Sequence, residues 1–390
     1  LSIPETSDGF DLHLETRIPG MMPITYFERV SVGGTYQIYI KLIAMEDIAE
    51  LFLFAGRKQL VYVGGIQEGE VLEKTILISL SEIIPRYHVK PYRQEFLTVT
   101  WACEQPKLLQ PLQLSVQRKE ETIPILYLAG DSTVTDQSSE LPYHPGACYS
   151  SWGQDLPLYI KGGYAVDNQA HCGLTTESFR KEGHARIITS YMKAGDYCLF
   201  QFGHNDQKLA HLQGVTGYRD NLIAYIEEIR NLGGNPILVT PLPRNTWNPD
   251  GTYNDLLKEH AQEVLKIATE YQVPVIDLHE AAMAEIQSRG KEASKCLFHP
   301  EDMTHTNEYG SVFFARIIAA GLQKILPDGS DMINDQAATE FLPPLDLWAQ
   351  LTGVSNNRQV TAEEKEQFDS MEKSASNLLK AIEAAKNSAV

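Results

Sequence analysis

The chain has no run of roughly 18 or more apolar residues, so no segment reads as a membrane span. Positive charge is scarce as well. Against 51 Asp and Glu there are 33 Lys and Arg, leaving a formal net charge of −18. Such a surface repels nucleic-acid phosphates and anionic lipid, so neither partner is expected. It also disfavours a strongly anionic substrate unless the site carries its own cations. Cysteine is sparse too: Cys103, Cys148, Cys172, Cys198 and Cys296 are odd in number, widely spaced and form no CxxC. That excludes a disulfide framework and a thiolate zinc site, and it favours a reducing compartment. The first ten residues, LSIPETSDGF, lack the basic start and apolar core of a signal peptide. A cytoplasmic location is the expectation.

The residues that are present fall into three regions. Residues 1–119 read as all-β, with aromatic and β-branched runs at 35–43, 49–56, 71–80 and 95–102 separated by turn residues. A small β-sandwich is expected there, either binding carbohydrate or supporting the next domain. Residues 120–326 change rhythm. Short apolar strands at 123–129, 164–168, 197–202, 235–240 and 273–277 alternate with helical patterns, which indicates a parallel sheet covered on both faces. Residues 327–390 read as a connector and then a helix. A capping-box signature at Thr361–Glu364 precedes an apolar stripe through Phe368, Met371, Ala375, Leu378, Ile382 and Ala385. Docking on the chain itself is the simpler reading of that stripe; a homodimer contact is the sharper one.

In parallel sheets ligands sit beyond the C-terminal strand ends, so the residues just past each strand carry the functional reading. After the first comes Gly130-Asp131-Ser132, either a helix start or a serine presented as a nucleophile. After the second, a short loop leads to Gly173; after the third comes Asn205. The N–H groups of Ser132 and Gly173 and the amide of Asn205 are the right donors for an oxyanion. Asp302 and His305, three positions apart before an apolar helix, supply a base and a carboxylate to orient it. His299, Asp302 and His305 also admit a metal reading, but HPEDMTH contains Pro300 and lacks the HExxH pattern. No metal is expected. His171 and His204 flank the proposed oxyanion donors and are candidate substrate contacts.

These blocks occur in the order found in the SGNH (GDSL-type) hydrolases. The spellings GDSTVTDQ, SWGQDLP, FGHNDQK, LVTPLPRNTW and DMTHTNEYGS resemble the rhamnogalacturonan acetylesterase branch of that superfamily, over residues 122–326. The resemblance implies a three-layer α/β/α fold around a five-stranded parallel sheet, preceded here by the β-sandwich and followed by the helical extension. It implies Ser132 as nucleophile, His305 as base, Asp302 as its partner, and an oxyanion hole of Ser132, Gly173 and Asn205. It implies no cofactor, and an acetylated carbohydrate, rhamnogalacturonan, as substrate. Relatives often carry Gly-Arg-Ser where this chain has Gly173-Leu174-Thr175, so Arg180 or Arg244 becomes the candidate cation for an acidic sugar. Two alternatives remain: a general carboxylesterase or lysophospholipase of the same superfamily, and a carbohydrate-binding protein without turnover.

Overall fold

A computed structural model describes residues 9–12 and, apart from 22, 32, 86–89, 106–107, 121, 138–142, 301, 328, 335, 339–340 and 344–346, residues 21–347. The expected helix at 361–385, and with it the dimer contact, lies outside the described residues.

The first half of the chain supplies eight strands. These are β1 (Gly9–Leu12), β2 (Ile24–Arg29), β3 (Gly34–Ala44), β4 (Ile48–Ala55), β5 (Gln59–Ile66), β6 (Val71–Leu80), β7 (Phe96–Ala102) and β8 (Leu109–Arg118). Five more come next: β9 (Ile125–Gly130), β10 (Ala165–Asn168), β11 (Tyr197–Gln201), β12 (Asn235–Val239) and β13 (Val275–Ile276). The last five pair in parallel in the order β13-β12-β11-β9-β10. This is the five-stranded sheet expected from the alternating pattern. It does not stop there, however. β6 lies parallel to β10 through Val166 and Ile78, and antiparallel β3 and β8 extend the sheet to eight strands. The sheet is therefore mixed, and no open edge separates residues 1–119 from the parallel strands that follow. An uncovered β10 would expose a row of unpaired backbone groups, and β6 removes that edge.

Alternation decides what each face does. Along β9, Leu126 and Leu128 point into one core with Val312, Ala315 and Ile318, while Ile125, Tyr127 and Ala129 point into another with Phe179, Leu222 and Ile267. Helices thus cover both faces, as near-continuous apolar strands require. Among them are α1 (Trp152–Asp155), α2 (Thr176–Lys181), α3 (His184–Tyr191) and α4 (Gly217–Asn231). They continue with α5 (Lys258–Tyr271), α6 (Leu278–Ala293) and α7 (Glu308–Ile325). The strands β1-β2-β7-β4-β5 form a second sheet. Ile38, Ile40 and Leu42 of β3 pack in one cluster with Leu51 and Leu53 of β4 and Leu97 and Val99 of β7, all fully buried. The alternate residues Phe52 and Phe54 turn the other way and meet Tyr143 edge-on, at 5.2 and 5.9 Å between ring centres. β4 is thereby buried on both sides.

The turn between β4 and β5 reaches β10 and α1. Gln59 donates to the Val166 carbonyl, and the Lys58 carbonyl accepts from Gln154. Arg57 pairs with the buried Asp167 of β10 at 2.8 Å. Removing one partner of a buried pair leaves an uncompensated charge. Arg57→Met should therefore lower stability by roughly 3 kcal/mol, read from the shift in the urea midpoint. A shift worth less than about 1 kcal/mol would mean that Ser79 and Gln169, which also bond Asp167, suffice to hold that carboxylate.

Candidate active site

The fully buried β9 ends at Gly130, where a Cβ would stand 2.6 Å from Val134 Cγ2 and 2.8 Å from the Gln201 carbonyl. Only glycine lets the chain turn this tightly against β11. Asp131 then organises the turn: its Oδ1 accepts from the Thr133 N–H and hydroxyl, and its carbonyl accepts from the amides of Val134 and Thr135. Ser132 sits at the apex. Neighbouring segments clamp the turn from several sides. Asn168 donates to the Val134 carbonyl, Thr135 to the Ala170 carbonyl and Ser151 to the Thr135 carbonyl. Gln201 donates to Thr133 and accepts from the Trp152 indole at 2.8 Å. Gly153 completes the fit, since a Cβ there would lie 2.1 Å from the Val134 carbonyl.

A second loop meets this turn from the far end of the chain. Asn307 caps α7 through Gly310 and donates to the carbonyls of Gly146, Cys296 and Phe298. Thr306 donates to the Ser150 carbonyl. With that loop pinned, His305 Nε2 lies 2.8 Å from Ser132 Oγ, and Nδ1 lies 2.7 Å from Asp302 Oδ2. Asp302 Oδ1 accepts from the amides of Thr304 and His305. Burial works to raise the Asp302 pKa, but the His305 contact and the two amides outweigh it and hold the carboxyl down to about 2. It is ionised throughout the neutral range, ready to fix the ring's tautomer and balance an imidazolium.

The loops that carry the other expected residues are tied to one another. Asn205 donates to the Leu174 carbonyl at 3.0 Å, and Thr176 donates to Asp206 through both its amide and its hydroxyl. Gly173 is exposed and has φ +84°, a left-handed conformation natural to glycine. Among the described residues, neither the Ser132 amide nor the Gly173 amide donates to another group. Asn205 keeps one amide hydrogen beyond its bond to Leu174. Donors with these freedoms are what an incoming oxyanion requires.

The three expected substrate contacts differ in placement. His171 is half-buried, with its ring 5.7 Å from that of His184. His204 is only 1% exposed and offers substrate no surface; its Nδ1 lies 3.3 Å from Asp131 Oδ2. Burial favours a neutral His204 ring, a donor facing the Asp131 carboxylate. Arg244 is engaged with the Thr304 hydroxyl and the His204 carbonyl, so it ties the loop after β11 to the Asp302–His305 loop. Arg180, the other candidate cation, pairs with Glu228 and covers the Tyr225 ring at 4.4 Å. One neighbour of the site has no sequence signal beyond its place next to SWGQDLP. Tyr149 stacks on His299 at 3.7 Å and presents its ring edge-on to His305 at 5.6 Å. Among the described residues, no three His, Cys, Asp or Glu side chains are grouped to hold a metal ion.

A serine, a histidine and a half-buried carboxylate in line, beside N–H donors, have the geometry that acyl transfer by a serine with a general base requires. The comparisons agree with that class. Residues 128–306 match the GDSL-like lipase/acylhydrolase family. The rhamnogalacturonan acetylesterase RhgT of Bacillus subtilis is 34% identical over 213 residues, covering 51% of this chain and 90% of RhgT. A rhamnogalacturonan acetylesterase of Emericella nidulans is 29% identical over 228 residues, 50% of this chain and 86% of that one. The uncharacterized esterase YxiM of B. subtilis is 30% identical over 203 residues, about half of each chain (51% and 52%). A crystal structure of YxiM aligns with 77% of this chain and 80% of its own at 25% identity, with a TM-score of 0.49. The chain belongs to the GDSL-like lipase/acylhydrolase family and is a carboxylic ester hydrolase. Within that family it falls in the rhamnogalacturonan acetylesterase-like branch.

The lowered pKa of Asp302 has a consequence for stability. A carboxyl whose pKa falls from an ordinary 3.8 to about 2 in the fold stabilises it above about pH 4, and that contribution is lost as pH falls through about 2. The wild type should lose up to roughly 2 kcal/mol over this interval that Asp302→Asn does not lose, as measured by denaturant unfolding at stepped pH. Parallel curves for the two proteins would rule out the strong Asp302–His305 contact.

Proposed function

We propose that the protein removes acetyl groups from an acetylated carbohydrate, with rhamnogalacturonan oligosaccharides as the substrate class. The single observation that carries the chemistry is the line from Ser132 Oγ to His305 Nε2 to Asp302, at 2.8 and 2.7 Å. Ser132 Oγ attacks the acetyl carbonyl while His305 takes its proton. The carbonyl oxygen becomes an oxyanion held by the Ser132 and Gly173 amides and the Asn205 side chain. Collapse expels the sugar alkoxide, which takes the proton back from His305, and leaves acetyl-Ser132. Water, deprotonated by the same histidine, then releases acetate and restores the serine. Asp302 stays ionised and keeps Nδ1 protonated throughout.

The sugar part of the proposal rests on the names of the relatives, RhgT and the E. nidulans enzyme, each matched over most of its length. His204 and Arg244 serve here as positioning residues, because His204 is buried with Nδ1 facing Asp131 and Arg244 is bonded to Thr304 and the His204 carbonyl. No described helix is long and apolar enough to cross a membrane.

Ser132→Ala should abolish acetate release from p-nitrophenyl acetate and from acetylated rhamnogalacturonan oligosaccharides alike. Wild-type action on the small ester with none on the glycan would keep the esterase and discard the carbohydrate. Asn205→Ala should lower kcat by about a hundredfold to a thousandfold with the fold intact by circular dichroism. Near-normal turnover would remove Asn205 from the oxyanion hole.

A further inference from the structure

Asn205, the side-chain donor proposed for the oxyanion, is itself held by a group that the acyl transfer does not otherwise involve. Its Nδ2 donates to the Leu174 carbonyl at 3.0 Å, and its Oδ1 accepts from the Lys208 ammonium at 2.9 Å. A carbonyl can only accept and an ammonium can only donate. The two contacts therefore fix which end of the amide is nitrogen and oppose its rotation. Turned over, the amide would set oxygen against oxygen at Leu174 and N–H against N–H at Lys208.

The backbone builds this contact. Asp206–Lys208 form a short 3₁₀ turn directly after Asn205. In it the Lys208 amide donates to the Asn205 carbonyl at 3.2 Å, and the Gln207 amide to the Gly203 carbonyl at 3.0 Å. Side chains three apart lie one above the other in such a turn, so Lys208 reaches back over Asn205. Asp206 anchors the turn, fully buried and accepting from the amide and hydroxyl of Thr176. The Lys208 side chain is exposed. With 51 Asp and Glu in the chain, an exposed lysine has many carboxylates to meet; Lys41, Lys181, Lys266 and Lys295 each pair with one. Among the described residues no carboxylate pairs with Lys208, and its ammonium goes to the Asn205 amide instead. A charged donor on Oδ1 draws electron density from the amide and makes its N–H groups stronger donors. That gain is realised where negative charge develops, in the transition state, and not with the neutral ester bound.

We propose that Lys208 is a positioning residue for ester hydrolysis, whose ammonium orients and polarises the Asn205 amide and acts on the oxyanion through that side chain. This role rests on the oxyanion function proposed for Asn205 and deepens it.

The test is a double-mutant cycle on p-nitrophenyl acetate, an uncharged ester that offers a lysine no anion to bind. Lys208→Met should lower kcat about tenfold with KM unchanged. Its urea midpoint should stay at the wild-type value, because the side chain is exposed. Lys208→Arg restores a charged donor and should return kcat to within about threefold of wild type. In the double variant with Asn205→Ala, kcat should match Asn205→Ala alone to within about twofold, because the amide through which Lys208 acts is gone. A full further loss on top of Asn205→Ala would place the action of Lys208 elsewhere and overturn the proposal. Normal kcat in Lys208→Met, or equal losses in Lys208→Met and Lys208→Arg, would overturn it too. Normal turnover in Asn205→Ala is a separate failure, which removes the oxyanion role of Asn205 and takes that of Lys208 with it.

Discussion

The contact between Ser132 and His305 joins residues 173 positions apart, and most of the polar architecture around it keeps those two side chains within 2.8 Å. Neither residue lies in a regular element. Each sits in a short turn whose natural tendency is to move, so each turn is fixed by bonds to the other parts of the fold. Asp131, Asn168, Ser151 and Gln201 hold the serine turn; Asn307, Thr306 and Arg244 hold the histidine loop. Positioning to within a fraction of an ångström is what converts a weak hydroxyl into an effective nucleophile. It also explains why so many buried polar groups are tolerated here. Each one satisfied in the network rigidifies the site, whereas the same groups unpaired would each cost about 1–3 kcal/mol.

The N-terminal strands belong to the same mechanical unit. β6 closes the edge of the parallel sheet beside β10, and the β4–β5 turn anchors to Asp167, Val166 and Gln154. Gln154 in turn accepts from the Gln137 amide, and Gln137 donates to the Ser132 carbonyl. A continuous set of hydrogen bonds therefore runs from the first half of the chain to the Ser132 turn.

Much of this is legible in the sequence. The five parallel strands can be read because each is a short apolar run between helical patterns, and the residues beyond their ends include Ser132, Gly173 and Asn205. Asp302 and His305 stand out just before the last apolar helix. Other features resist reading for physical reasons. β8 is largely exposed, so it shows no clear period. The pairing of β6 with β10 rests on a single register, Val166 with Ile78, between segments almost ninety positions apart, and no local pattern signals it. His204 and Arg244 resemble substrate contacts because their side chains are polar and adjacent to the site. Only the fold shows that one is buried on Asp131 and the other spent on tying two loops together. The Tyr149–His299–His305 stack is likewise a product of tertiary geometry.

If Ser132 is the nucleophile, it carries an acetyl group during turnover. The most direct measurement is mass spectrometry of the protein quenched with acid during reaction with p-nitrophenyl acetate, then peptide mapping. A mass increase of one acetyl group is expected on the peptide that contains Ser132, absent from His305→Ala under the same conditions. An acetyl group on another residue, or rapid acetate release with no adduct on Ser132 at any quench time and full activity in Ser132→Ala, would contradict it.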